Sequence, residues 1–112
     1  MPASKKRAYA RYTIAATELL GALIAVERKM RKMPMRELAE RLGVDRSTLQ
    51  RLEKGDPKVE VGLAFEACTV LGIPLFAEDL GGLSMRLDEV NQRLTLLPKR
   101  SQAQTVTISD DF

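Results

Sequence analysis

An all-α domain of five helices is what this 112-residue sequence predicts, on three observations. Leucine and alanine recur through most of the chain at steps of three and four, the spacing of one helix face. Pro34, Pro57, Pro74 and Pro98 fall between these runs, where they delimit helices. Only "TVTIS", residues 105–109, alternates like a strand, and no second such run exists to pair with it.

Composition narrows the function classes. The chain is 45% hydrophobic but only 4% aromatic, with no Trp, so its core is aliphatic. It has no His and one Cys, which excludes His-dependent acid–base chemistry and a Cys/His zinc cluster. There is no Gly-rich phosphate loop and no pair of carboxylates at a recognisable spacing. No enzyme, metal or cofactor is expected. One thiol forms no internal disulfide, which suits a reducing cytoplasm. No apolar run reaches membrane-spanning length, so no membrane association is expected.

Charge is unevenly spread. Residues 1–58 carry 14 basic and 7 acidic side chains, a net of +7, whereas residues 59–112 carry 4 basic and 8 acidic, a net of −4. The first half suits a polyanion; the second suits a different partner or subunit.

Residues 1–12 form a basic lead in which Lys5, Lys6, Arg7 and Arg11 either reach a phosphate backbone or belong to a frayed, solvated end. A domain is expected over residues 13–80, and residues 81–112 form a C-terminal helix and tail for dimerisation or partner binding. The first helix spans 13–32, with Leu20, Leu23, Ile24 and Glu27 at helical spacing and a basic end at Arg28, Lys29, Arg31 and Lys32. Pro34 opens the second helix, which runs to Leu42 with Leu38 and Leu42 inward, and Gly43 ends it. Asp45 caps a third helix, residues 46–54, whose buried pair is Leu49 and Leu52.

The fourth helix, residues 61–71, presents Leu63, Ala67, Val70 and Leu71 along one side, and its Cys68 reads as a small buried apolar residue. A short element follows at 75–80, and Gly81 and Gly82 break the chain. The fifth helix, residues 83–97, carries Leu83, Leu87, Val90, Leu94 and Leu97 at steps of 4, 3, 4 and 3. That seam either packs on the domain or meets a second chain. The run at 105–109, with Val106 and Ile108, is either a strand completed by a second subunit or partner, or a disordered tail.

Two short helices joined through Gly43 and capped by Asp45 make a helix-turn-helix, a geometry that presents its second helix to a major groove. With Leu49 and Leu52 inward, Arg46, Ser47, Gln50, Arg51 and Lys54 point outward. Gln pairs with adenine and Arg with guanine, which makes Arg46, Ser47, Gln50 and Arg51 the candidate base contacts. Arg28, Lys32, Arg36 and Lys54 are the candidate phosphate contacts, a role also open to Ser47.

Arg28, "ELAERLGVDRSTLQRLEKG" and "VEVGLAFEACTVLGI" resemble the Cro/CI-type (XRE-type) helix-turn-helix family over about residues 20–72. The run "RSTLQRLEKGDPKVEVG" is especially similar to the HipB-like antitoxin branch. The resemblance implies a five-helix, lambda-repressor-like domain with a C-terminal tail able to add a β-strand at a dimer interface. It also implies a homodimer that represses its own operon at a palindromic operator and restrains a HipA-like serine/threonine kinase toxin. Such a protein is expected in the cytoplasm, associated with the nucleoid. The family usually opens its second helix with a Ser or Thr cap followed by a DNA-contacting Gln; here Pro34 and Met35 stand there, and Met35 cannot replace the amide's hydrogen bonds. Two other readings stay open: a stand-alone regulator, and a protein-interaction module whose DNA contacts have decayed.

Overall fold

A computed structural model describes residues 8–76 and 79–99. The chain divides into two compact units, the first ending at Leu75 and the second beginning at Phe76. Among the described residues there are five helices and no strand: α1 (Arg11–Met30), α2 (Met35–Leu42), α3 (Arg46–Glu53), α4 (Val61–Leu71) and α5 (Leu80–Leu96). The 105–109 run, with Val106 and Ile108, and the basic residues Lys5, Lys6 and Arg7 lie outside the described residues.

In the first unit α3 and α4 each pack against both α1 and α2. Ile24, Leu38, Leu49, Leu71 and Cys68 are the largest side chains wholly withdrawn from solvent. Burying each of the four aliphatic ones contributes about 1.5–3 kcal/mol. Small residues let the helices approach: Ala39, Ala64 and Ala67 are buried between them, and Gly21 brings α1 onto the backbone at the end of α3, where a Cβ would lie 2.5 Å from the Leu52 carbonyl oxygen.

Helix ends differ from the sequence reading in ways with local causes. The first helix starts at Arg11 and stops at Met30, two residues short of Lys32, because Lys32 takes φ 57°. There the Met33 N–H donates to the Arg28 carbonyl and the Lys32 N–H to that of Lys29, the paired bonds of a Schellman ending. Pro34 is the N-cap of α2 and not its first helical residue. Gly43, at φ 70°, makes the same left-handed ending after α2, with Val44 N–H donating to the Ala39 carbonyl. Its freedom at positive φ is what lets the chain turn into Asp45 within two residues.

The larger correction concerns residues 75–82. Among the described residues no separate element precedes Gly81 and Gly82, and the pair does not break the chain: both lie in the first turn of α5. Asp79 accounts for this, since its Oδ1 accepts the Gly82 N–H at 2.8 Å and nucleates the helix just ahead of the two glycines. In the second unit α5 buries none of its side chains. Leu83 is half-buried, while Leu87, Val90, Leu94 and Leu97 are exposed.

Candidate nucleic-acid interface

The exposed side of α3 follows from its buried side. Leu49 and Leu52 are buried, and the Glu53 side chain is 7% exposed. Helical spacing then places Ser47, Gln50, Arg51 and Lys54, at i, i+3, i+4 and i+7, along one opposite stripe. All four are exposed, as is Arg46. Asp45 starts the helix: its Oδ1 accepts the Thr48 N–H at 2.8 Å and the Ser47 hydroxyl at 3.0 Å. Hydrogen bonds from Thr48, then from Ser47, hold its carboxyl below the ordinary 3.8. A depressed carboxylate pKa stabilises the fold above the unfolded value, so the cap's contribution is complete above about pH 4 and fades as pH falls through the lower folded value.

Two outward residues are already engaged. The Ser47 hydroxyl serves the cap, and Arg51 Nε donates to Asp56 Oδ2 at 2.9 Å, an exposed pair that nucleic acid can compete for. Asp56 in turn accepts the Lys58 N–H, which with Arg51 keeps its carboxyl below the usual range. Lys54 is the C-cap of α3, one residue past the helix proper. Gln50 and Lys54 share a shallow depression of about 340 Å³ with Ala25, Met35 and Glu53. Met35 thus shares this surface with Gln50, and its side chain cannot supply the hydrogen bonds of an amide.

Arg36 and Lys32 are exposed, Lys32 in the left-handed turn between α1 and α2. Arg28 is not: it is 7% exposed. Its Nε donates to Glu53 Oε2 at 2.7 Å, Nη2 to Glu53 Oε1 at 3.1 Å, and Nη1 to the Met33 carbonyl at 2.9 Å. One guanidinium therefore joins the end of α1, the entry to α2 and the end of α3. With three of its five N–H groups so committed and almost no exposure, Arg28 is first a strut of the fold and not the open phosphate contact of the sequence reading. The spacing held a clue: Gly21, Ile24 and Arg28, the buried residues of α1, are three and four apart, which puts the arginine on the core face.

Among the described residues no group of His, Cys, Asp and Glu is placed to hold a metal, and no helix is long and apolar enough to cross a membrane. Compared with known protein families, residues 24–77 match the model described as helix-turn-helix. No curated protein and no solved structure matches the chain. A helix-turn-helix domain of the Cro/CI type, the kind that binds DNA in regulation, is thus present at residues 24–77, with α2 and α3 as its two motif helices.

Proposed function

We propose that this chain is a dimeric, sequence-specific repressor and the autoregulating antitoxin of a HipA-like serine/threonine kinase. The observation that carries the repressor reading is the stripe Ser47, Gln50, Arg51 and Lys54, exposed on a helix whose other side is held by Leu49, Leu52 and the Arg28–Glu53 pair. In this reading Arg46, Gln50 and Arg51 meet base edges, Arg51 by exchanging Asp56 for guanine, and Ser47 reaches an edge or a phosphate. Lys32, Arg36 and Lys54 meet phosphates. Two copies of α3 enter successive major grooves about 34 Å apart and occlude the promoter.

The antitoxin reading is supported by the likeness of residues 46–62 to the HipB-like branch and by α5, whose seam of Leu87, Val90, Leu94 and Leu97 faces solvent. That seam, with Val106 and Ile108, is assigned to the homodimer or to the kinase.

Titrating the purified chain onto the duplex upstream of its own gene and onto scrambled DNA, at three salt concentrations, tests the repressor reading. Tight binding to the first alone, at two chains per site, supports it; weak and equal binding to both sinks it. In the same assay Gln50→Ala is expected to lower discrimination by about 1–3 kcal/mol, because a base-edge contact is lost. Lys54→Ala is expected to weaken all sequences alike and reduce the salt slope by about 1. A second arm expresses the chain with a HipA-like kinase encoded beside it. Relief of kinase toxicity supports the antitoxin reading, and binding to DNA without such relief leaves a stand-alone regulator.

A further inference from the structure

The side of α1 opposite the core carries a second apolar line. Tyr12, Ala16, Leu19, Leu23, Val26 and Met30 succeed one another at steps of 4, 3, 4, 3 and 4, the repeat of a helix–helix seam. All six are exposed, Tyr12 at 85% and Met30 at 73%. The buried residues of α1, Gly21, Ile24 and Arg28, lie about half a turn away, so the line is a face of its own and not the edge of the core. These side chains leave open roughly 600 Å² of apolar surface, the upper end of what a monomer normally shows. A match between two such faces buries about 1,200 Å², the lower bound of a specific interface.

The kind of occupant follows from the shape of the face. Tyr12, Ala15, Ala16 and Leu19 line a shallow, open apolar hollow of about 220 Å³. Their spacing, i, i+3, i+4 and i+7, is that of the four-residue hole which receives one side chain from a facing helix.

We propose that this face pairs with α1 of a second copy, running antiparallel. Charge sets the direction. The exposed residues Lys29, Arg31 and Lys32 gather at the C-terminal end of α1, and a parallel pair would bring both clusters together. Antiparallel, they stand about 30 Å apart, several Debye lengths at physiological salt, and the helix dipoles oppose. The face also complements itself in that order. With the line centred on its own copy, Met30 meets Tyr12 of the second copy, a sulfur–aromatic contact, and Val26 falls opposite Ala16, where it enters the hollow. Leu19 then meets Leu23 of the second copy. On the flanks Ala22 falls beside its own copy, Ala15 beside Lys29 and Thr13 beside Glu27, and Arg11, one turn before Ala15, is the one cation brought near Lys29 of the second copy. This association rests on α1 alone and does not require that the chain bind DNA.

The test is disulfide trapping in the full chain. Cys68 is wholly buried and stays silent. Ala22→Cys, at the centre of the pair, is compared with Glu66→Cys on the exposed side of α4 under mild oxidation. Dimer is expected to form at least tenfold faster from Ala22→Cys. Adding Leu19→Glu, with helicity checked by circular dichroism, is expected to remove that advantage. The advantage is also expected to survive Leu87→Glu with Leu94→Glu on α5. Equal trapping of the two cysteines overturns the proposal and leaves the face to a different partner. Loss of the advantage in the α5 variant overturns it as well, because α1 would then have no affinity of its own.

Discussion

Glu53→Ala is expected to destabilise the helix-turn-helix domain by about 3–5 kcal/mol, the cost of leaving a buried charge without its partner. Arg28 and Glu53 side chains are 9% and 7% exposed, so solvent does little to compensate either ion. The surface pairs Arg31–Glu27 and Arg41–Glu37 are far more exposed and worth a few tenths of a kcal/mol each. Stability of a small domain is itself only about 5–15 kcal/mol, so the variant is expected to be partly unfolded at 37 °C. Replacing both partners at once, Arg28→Met with Glu53→Met, is expected to recover most of the loss, since no charge is then stranded. Urea unfolding followed by circular dichroism measures both. A single variant within about 1 kcal/mol of the parent would mean that water reaches the pair, and its structural role would fall. DNA binding by the double variant adds a separate reading. The guanidinium also holds the Met33 carbonyl at the entry to α2, so restored stability with weakened binding is the result expected if the pair positions α3.

Gly21→Val is the second large effect. Any Cβ there would lie 2.5 Å from the Leu52 carbonyl oxygen and 2.6 Å from that of Glu53, and these are backbone atoms that no rotamer change can move. α3 must shift away from α1, at an expected cost of about 3 kcal/mol. The helix-propensity gain from replacing glycine offsets at most about 1 kcal/mol of this. The expected result is a lower urea midpoint together with loss of sequence discrimination even where the variant is fully folded. The displaced helix is the one that carries Gln50 and Arg51. A variant that kept both stability and discrimination would show that the α1–α3 contact tolerates a shift without moving the interface. Gly62→Val, at a position where an added Cβ meets nothing within 4 Å, serves as the control.

Much of the architecture was legible along the chain because its causes are local. The Asp45 cap, the Gly43 ending, the buried pair of Leu49 and Leu52, and the bounds of the fourth helix depend on residues within a few positions of one another. The exposure of Arg46, Ser47, Gln50, Arg51 and Lys54 follows from the same periodicity. A local cause was also missed. The aspartate at 79 caps through Gly82, and two glycines in a row were read as a break when they complete a first turn.

The residues misread were those whose partners are distant in sequence. Arg28 looked like one more cation in a basic helix end, because a run of charges does not say which member turns inward. Glu53 is 25 residues away, and only the packing of α1 against α3 brings them together. Leu23 was grouped with Leu20 and Ile24 by spacing, yet it faces solvent with Leu19 and Val26. Apolar residues on both sides of one helix leave the period clear and the inward direction undetermined.

The chain's order of residues thus determined by itself that this is an all-α protein with a capped helix-turn-helix and a cationic, amide-bearing third helix. Period, caps and charge are properties of neighbouring residues. Tertiary structure alone decided which arginine is a strut and which are free for a ligand, and which face of α1 is core. Those choices depend on the surface that meets each side chain, and that surface is made by residues many turns away.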